Sequence, residues 1–385
     1  MSPVAGHSHG SLLAGPRLDR LLPAVATSIG VPGLAKGGDR ALRSARRSVV
    51  VLVDGLGSRL LERRGGHAPF LRRLLQEQDA GATLACGFPS TTATSMGSFG
   101  TGTLAGTHGL TGYEAYDPDT DTVFNELSWQ DGPDPRRWQP LPTVFEAASD
   151  AGVAVTRIGP GYFDGSGLTN AALRGGRFVA AESLAARVDE TVAAVRRDER
   201  ALVHLYWGDV DKVGHMHGCD SWQWVEELES VDAELARLAG LLPADTSLHI
   251  TADHGMVDVP LDARTDLAED AELDSGVRQV SGEPRGLQLH VVDGALEDVL
   301  ATWRGRLGED ALVVSREEAI DRGWLGPVSD RVRARLGDVI TAMTGPVAVV
   351  DSRRHRPLIL SLLGVHGSIT EDELAIPWLT LPATD

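Results

Sequence analysis

The feature that most constrains the fold is the uninterrupted run Val49-Val50-Val51-Leu52-Val53, which stops at Asp54-Gly55. Apolar, mostly β-branched side chains at consecutive positions leave no polar face for water, so the run predicts a short strand buried on both sides. The pattern returns further along. Val153-Ala154-Val155 and Leu202-Val203-His204-Leu205-Tyr206 read as strands, and Leu248-His249-Ile250-Thr251 runs into Ala252-Asp253-His254-Gly255. Between them the period changes. Leu71, Leu74 and Leu75 fall at helical spacing, Ser183 to Arg197 reads as a helix, and Val225, Leu228, Val231, Leu235, Leu238 and Leu242 recur every three or four residues. Alternating strands and helices predict an α/β fold, an α/β/α sandwich around a mostly parallel central sheet.

The chain divides unevenly around this pattern. Residues 1–46, rich in Gly, Pro and Arg, read as a lead-in whose apolar stretch Leu21–Ile29 can dock on the core, and His7-Ser8-His9 belongs to a tail. Residues 47–257 and 351–385 carry the core pattern. Residues 258–350 read as an inserted subdomain or cap that shapes the substrate pocket. They open on the acidic stretch Asp262–Asp274 and hold two short units, Leu287–Val292 and Asp310–Val314, about the helix-like Leu296–Leu307. Leu358 to Leu363 is expected to return the chain to the core ahead of Gly364-Val365-His366-Gly367.

Composition narrows the partners. A hydrophobic fraction of 42% suits a folded chain, and a net charge of −18 argues against nucleic-acid backbones and anionic membranes. Such a count omits bound cations, which a site of carboxylates and imidazoles can hold. Cys86 and Cys219 form neither a C-x-x-C pair nor a disulfide framework. With no basic-then-apolar leader and no run near the ~20 residues of a membrane span, the expected setting is the cytoplasm.

Three acids stand just after the expected strands: Asp54, Asp211 and Asp253. In open α/β sheets residues remote in sequence converge at the carboxyl ends of strands. Imidazoles accompany them, in Asp211-Lys212-Val213-Gly214-His215, in Asp253-His254-Gly255, and in the glycine-flanked His366. Three carboxylates and three imidazoles form a mixed oxygen/nitrogen set that suits zinc, with manganese and iron as competitors, and six ligands exceed what one tetrahedral ion needs. Two divalent ions are therefore expected, as in sites that clamp the attacking and leaving oxygens of a phosphoryl displacement. Hydroxyls for a nucleophile lie in Phe88-Pro89-Ser90-Thr91-Thr92-Ala93-Thr94-Ser95, ahead of a helix running toward Gly102. A helix N-terminus offers free N–H groups to a phosphoryl oxyanion.

In this order, Val53-Asp54-Gly55, Phe88-Pro89-Ser90-Thr91-Thr92, Tyr206 with Asp211 to His215, Asp253-His254-Gly255-Met256 and Val365-His366-Gly367-Ser368 resemble the nucleotide pyrophosphatase/phosphodiesterase family of the alkaline phosphatase superfamily. Thr107-His108-Gly109-Leu110 through Tyr116-Asp117-Pro118 and Ile369 to Pro377 add to it, so the resemblance spans roughly residues 48–380. It implies an alkaline phosphatase-like core and hydrolysis of phosphate diesters or pyrophosphates. Asp54, Thr92, Asp253 and His254 would hold one zinc, and Asp211, His215 and His366 the other. Thr92, three residues after Pro89, would be the nucleophile and form a phosphothreonine. The substrate is then a small phosphate ester, contacted by Tyr206 and by Tyr113. Two positions depart from the family: Ala93 replaces the aromatic residue that follows the nucleophile, and Tyr113 replaces an asparagine, so the nature of the organic group on the phosphate is open.

Competing readings are specific. A phosphomonoesterase needs a cation for the extra phosphate charge, and Arg157, Arg174, Arg177 and Arg285 are the candidates. A phosphomutase-like relative would favour serine over Thr92. A silent binding protein would have lost a ligand or the nucleophile, and none is missing. Cys86-Gly87-Phe88-Pro89-Ser90 lacks sulfatase spacing. Asp209 is a rival to Asp211. His108 and His217 read as structural or supporting groups, His204 and His249 as satisfied core histidines, and Ser90, Thr91, Thr94 and Ser95 as capping hydroxyls.

Overall fold

The computed structural model describes residues 11–34, 42–78 and 83–384; His7 and His9 lie outside them. Its centre is a seven-stranded sheet in the order Thr83–Ala85, Ala375–Leu381, Thr246–Thr251, Arg47–Val53, Ala201–Trp207, Ala154–Gly159, Arg177–Ala180. The strand from the defining run occupies the middle, paired in parallel with Ala201–Trp207 on one side and Thr246–Thr251 on the other. Val49 to Val53 are fully buried, as a strand covered on both faces requires.

The helices follow their sequence signals. Ser183 accepts the Ala186 N–H and caps Leu184–Arg197; Ser221 accepts the Trp224 N–H and caps Trp222–Leu241, which buries Trp224, Leu228, Val231, Leu235 and Leu238 along one stripe. The lead-in docks as expected: Leu18, Leu21, Leu22 and Val25 are buried completely, and the helix Leu21–Ser28 packs on the helices Thr92–Thr101 and Val144–Asp150.

Two features differ from the sequence reading. The chain's return to the central sheet is not made by Leu358–Leu363, which holds a one-turn helix, Pro357–Leu360. It is made by Ala375–Leu381, antiparallel to both its neighbours. The second sheet, ordered Ala311–Ser315, Val339–Met343, Gly286–Val291, Val277–Glu283, Glu114–Asp117, Thr122–Asn125, is not built by residues 258–350 alone. The hairpin 114–125, from the stretch assigned to the core, completes it through the pairing of Glu114 with Gly282. Trp303, Leu289, Val299 and Met343 form a separate small core there.

One buried ion pair ties the two sheets together. The Arg285 guanidinium donates to both oxygens of Glu373, at 2.8 Å each, and to the carbonyls of Met343, Gly345 and Val347. Glu373 also accepts the Ser368 N–H at 3.0 Å and the Thr370 hydroxyl, pinning the loop that follows His366. Removing one partner of such a pair strands a charge in the interior. Arg285→Met should cost about 3–5 kcal/mol in urea unfolding, and adding Glu373→Gln should recover part of that loss. A single variant as stable as the parent would show that the pair does not hold the loop.

Candidate active site

The central register explains why the acids meet. Leu52 pairs with Thr251 and Val53 with Trp207, so Asp54, Asp253 and the helix Asp209–His217 all begin just past the carboxyl ends of three adjacent parallel strands. Asp54 is secured by its N–H to the Trp207 carbonyl, at 2.8 Å. Gly55 then turns with φ of +74°, where a Cβ would stand 2.9 Å from the Asp211 Cα, so glycine permits the close approach of the third acid. Its N–H donates to Asp253 Oδ1 at 3.1 Å. Asp211 and His215, four apart on one helix face, meet at 3.2 Å. His366 arrives from another direction: Gly364–Val365 pairs with Val257–Asp258, which follows Asp253-His254-Gly255.

Each imidazole is aimed by a backbone carbonyl. Nδ1 of His215 lies 2.7 Å from the Gly364 oxygen, that of His366 2.9 Å from the Ser90 oxygen, and that of His254 3.1 Å from the Gly255 oxygen. Every Nε2 is thereby left for the site, the arrangement by which proteins orient metal-binding histidines. His254 Nε2 lies 3.3 Å from Asp54 Oδ1, 3.6 Å from Asp253 Oδ2 and 3.2 Å from the Thr92 hydroxyl. The rings of His254 and His366 stack at 3.7 Å. Donor atoms gather in two groups, Asp54, Asp253 and His254, and Asp211, His254 and His366. His254 thus stands between the groups, whereas the resemblance assigns it to the first alone.

The electrostatics call for cations. Burial and then the charges of Asp253 and Asp211 push the Asp54 carboxyl well above its ordinary range. Burial also raises Asp253, against the pull of His254. Burial would raise Asp211 too, but the adjacent His215, then His366 and His254, hold it below the usual range. His366 is kept neutral by burial and by His254 beside it. Asp54 Oδ1, Asp211 Oδ1 and Asp253 Oδ2 are buried without a hydrogen-bond partner. Three orphaned carboxylate oxygens beside imidazole nitrogens with free lone pairs fit divalent cations, and the donor set fits zinc, manganese or iron.

Thr92 begins the helix Thr92–Thr101, and no side chain caps that end. The neighbouring hydroxyls expected to cap it are tethers instead. Ser95 donates to the Asp253 carbonyl at 2.6 Å, Thr94 to the Leu110 carbonyl, and Ser90 to the Ser368 carbonyl at 2.7 Å. They lock the helix start onto the two loops that carry Asp253 and His366, leaving its first N–H groups facing the site.

Beside the acids lies a cavity of about 650 Å³, bordered by Asp54, Thr92, Tyr206 and Asp211 at the reactive end. Its walls are Ile158, Phe163, Leu168, Leu173 and Phe178, from 157–178, a stretch the sequence reading passed over apart from Arg157, Arg174 and Arg177. No residue of 258–350 lines it, contrary to the expectation of a pocket-shaping insertion. That segment reaches the acids from behind instead, where Glu283 Oε2 lies 3.5 Å from His366 Nδ1. Tyr206 donates to Asp54 Oδ2 and sets its ring 5.3 Å from Phe163. Tyr113 does not border the cavity. Asp209, half-exposed, pairs with Lys212 rather than joining the acid cluster. His108 is buried between Ser98 and the Leu110 N–H, and His217 meets Gln223. His204, expected to be satisfied, has a buried Nε2 without a partner and borders the cavity. Its position within an all-buried strand gave no periodicity to show this.

If cations relieve the repulsion at Asp54, its neutral isostere should reverse two properties. Asp54→Asn should stabilise the metal-free protein by about 1–3 kcal/mol. It should also lose the stabilisation of about 2.7 kcal/mol that zinc at a hundred times its dissociation constant gives the parent. Thermal unfolding with and without zinc checks both, and a destabilised variant with full zinc response would contradict the reading.

Comparison with known proteins agrees with this geometry. Residues 48–368 match the family of type I phosphodiesterases / nucleotide pyrophosphatases. No curated protein sequence matches the chain. Among solved structures, murine ectonucleotide pyrophosphatase / phosphodiesterase 5, inactive and in complex with AMP, superposes with a TM-score of 0.68 at 19% identity over 87% of each chain. Phosphonoacetate hydrolase from Sinorhizobium meliloti, in complex with phosphonoformate, gives 0.67 at 21% identity, covering 89% of this chain and 92% of that one. Both share the α/β fold. The match over most of the chain, with the ordered acids, imidazoles and hydroxyl, makes this protein a hydrolase of the type I phosphodiesterase / nucleotide pyrophosphatase family.

Proposed function

We propose that the protein hydrolyses small phosphate diesters or pyrophosphates at a two-metal site, with Thr92 as nucleophile. The observation that carries this is the place of the Thr92 hydroxyl, at an uncapped helix N-terminus and 3.2 Å from the imidazole that also meets Asp54 and Asp253. Asp54, Thr92, Asp253 and His254 would hold one divalent ion, and Asp211, His215 and His366 the other. Zinc suits these donors best, with manganese or iron as competitors. Bound there, the ions supply positive charge that favours the threonine alkoxide and the departing oxygen.

The chain's own groups do the rest. The first N–H groups of the helix Thr92–Thr101 receive the phosphoryl oxygens. Oγ1 of Thr92 bonds to phosphorus as the opposite ester bond breaks and its oxygen leaves as an alcohol or phosphate. Water then cleaves the phosphothreonine, returning the threonine hydroxyl and a phosphate monoester. Tyr206, tied to Asp54, holds its ring against the organic group.

The cavity favours a diester over a monoester. Its apolar walls suit the organic substituent that diester and monoester both carry, so the preference rests on charge: a monoester brings one more negative charge to be held. Of the arginines weighed for a monoester's extra charge, Arg174 is spent on Glu146 and backbone carbonyls, Arg177 on Thr156 and Arg285 on Glu373, which leaves Arg157 at the cavity; Arg187 borders it too, but donates to the carbonyls of Ala181, Glu182 and Tyr206. Ala93 is buried inside the helix and offers no stacking face, so Phe163, Phe178 and Tyr206 supply the aromatic surface. Buried free thiols at Cys86 and Cys219 suit the cytoplasmic setting proposed for the chain.

Zinc-loaded protein should hydrolyse bis(p-nitrophenyl) phosphate faster than p-nitrophenyl phosphate. Thr92→Ala should lower kcat at least ~10³-fold while zinc content stays near the parent's, and a chelator should abolish turnover. A preference for the monoester would transfer the protein to the phosphomonoesterases. Full activity in Thr92→Ala would remove the covalent step.

A further inference from the structure

The cavity does not end in apolar side chains. Arg157, on the strand Ala154–Gly159, and His204, its register partner on Ala201–Trp207, both border it, and both are more than nine-tenths buried. In a parallel pair, register partners project to the same face of the sheet. The Arg157 guanidinium makes one hydrogen bond among the described residues, from Nε to the Gly175 carbonyl at 2.8 Å. No carboxylate among the described residues lies within salt-bridge distance of it; Asp164, whose charge acts on it, is exposed and unpaired with it. Beside it His204 uses Nδ1 on the Val50 carbonyl at 3.3 Å, while Nε2 is buried without any partner. Burial and the arginine together hold this imidazole neutral, with its pKa lowered to about 4.

A buried guanidinium without a counter-ion is costly and rare in proteins unless something else completes it. Contacts with aromatic rings do not complete the polar atoms of either group. Arg157 approaches the Phe178 ring only at 5.7 Å, and the ring of His204 lies against Phe99 and Phe145. The guanidinium lacks an acceptor, and His204 Nε2, left as a lone pair by the Nδ1 bond to Val50, lacks a donor; the space in front of them is the substrate cavity.

Their position separates them from the reacting phosphorus. His204 pairs with Val50, four residues before Asp54, so Arg157 and His204 sit roughly 13 Å down the strands from the acid cluster. The Nε bond to Gly175 holds the guanidinium at that depth. It is too far to hold the oxygens of the phosphoryl group under attack, and the walls between the two places are Ile158, Phe163, Leu168 and Phe178.

We infer that Arg157 forms a second recognition point, for an anionic group at the far end of the substrate's organic substituent. The substrate class is then an ester in which an apolar spacer separates the scissile phosphate from a terminal carboxylate or phosphate. Arg157 pairs with that anion and selects for it. This rests on the proposed hydrolysis for its chemistry but not for its binding.

The test uses three p-nitrophenyl phosphodiesters whose second alcohol is hexanol, 6-hydroxyhexanoate or 6-hydroxyhexyl phosphate. The parent should show kcat/KM at least ~10-fold higher for one anionic ester than for the hexyl ester, and the better of the two identifies the anion. In Arg157→Met that ratio should fall to about one, whatever the absolute rates; Arg157→Lys should keep its direction. A parent ratio near one, or a ratio that survives in Arg157→Met, would overturn the inference. Calorimetry of the full chain prepared without metal, using hexanoate, hexyl phosphate and hexanol, separates the two readings. Binding of an anion but not of hexanol, lost in Arg157→Met, would support the anion point even if no ester were hydrolysed. Equal binding of all three, or none, would overturn it.

Discussion

Everything in this structure turns on three carboxylates held close together at the carboxyl edge of one sheet. Asp54 and Asp253 are shut away from water, and Asp211 nearly so. Left alone, such a group would raise the pKa values of its members or push them apart. The fold prevents separation. Asp54 and Asp253 follow register partners on neighbouring strands, and Asp211 stands over the turn at Gly55. The resulting excess of negative charge is a demand for cations, set by the backbone and not by flexible side chains. It also explains how a chain of net charge −18 can accept phosphate: the local field reverses once cations occupy the donors.

The second layer makes that demand specific. The three imidazoles spend Nδ1 on the carbonyls of Gly364, Ser90 and Gly255. Those carbonyls belong to loops tied to each other. Ser90 bonds Ser368 and accepts the Gly367 N–H, Ser95 bonds the Asp253 carbonyl, and Glu373 holds the Ser368 N–H while ion-paired to Arg285. The helix start with Thr92 is therefore fastened to the same loops that aim His254 and His366. Thr92 and the imidazoles are thereby held in one connected unit, the rigidity that positioning of a reacting group requires.

Legibility in the sequence followed the range of the interactions involved. Val49 to Val53 declared a doubly buried strand because every position is apolar, and Asp-Gly marked its end. Asp211 and His215 stood out as an acid just past a strand with an imidazole close behind it. These are local signals, and the structure places them as read. The antiparallel strand Ala375–Leu381 contains Pro377, which weakens any strand pattern, and its partners lie more than a hundred residues away. The hairpin 114–125 joins the second sheet through Gly282, a pairing that local spacing does not encode. Hydroxyls at Ser90, Thr94 and Ser95 resemble caps in sequence; only their carbonyl partners reveal tethers. The cavity wall at 157–178 runs from the strand Ala154–Gly159 through a 3-10 turn and the short helix Gly167–Ala172 to the strand Arg177–Ala180, elements too short for a period to mark the inward-facing residues.

The same reasoning bears on the second sheet. Residues 258–350 contribute nothing to the walls of the cavity, yet they supply Arg285 and Glu283, both buried behind His366. Glu283 is raised well above its ordinary range, first by burial, and its Oε1 is buried without a hydrogen-bond partner. Burial thus disfavours a fourth negative charge beside the acid cluster, while Oε2 still touches the His366 ring. This segment thus braces the loop that carries His366. The apolar walls of the cavity come instead from the stretch between Arg157 and Phe178, on the opposite flank of the central strand from Thr246–Thr251. The acid cluster and the cavity walls are thus supported by different parts of the chain.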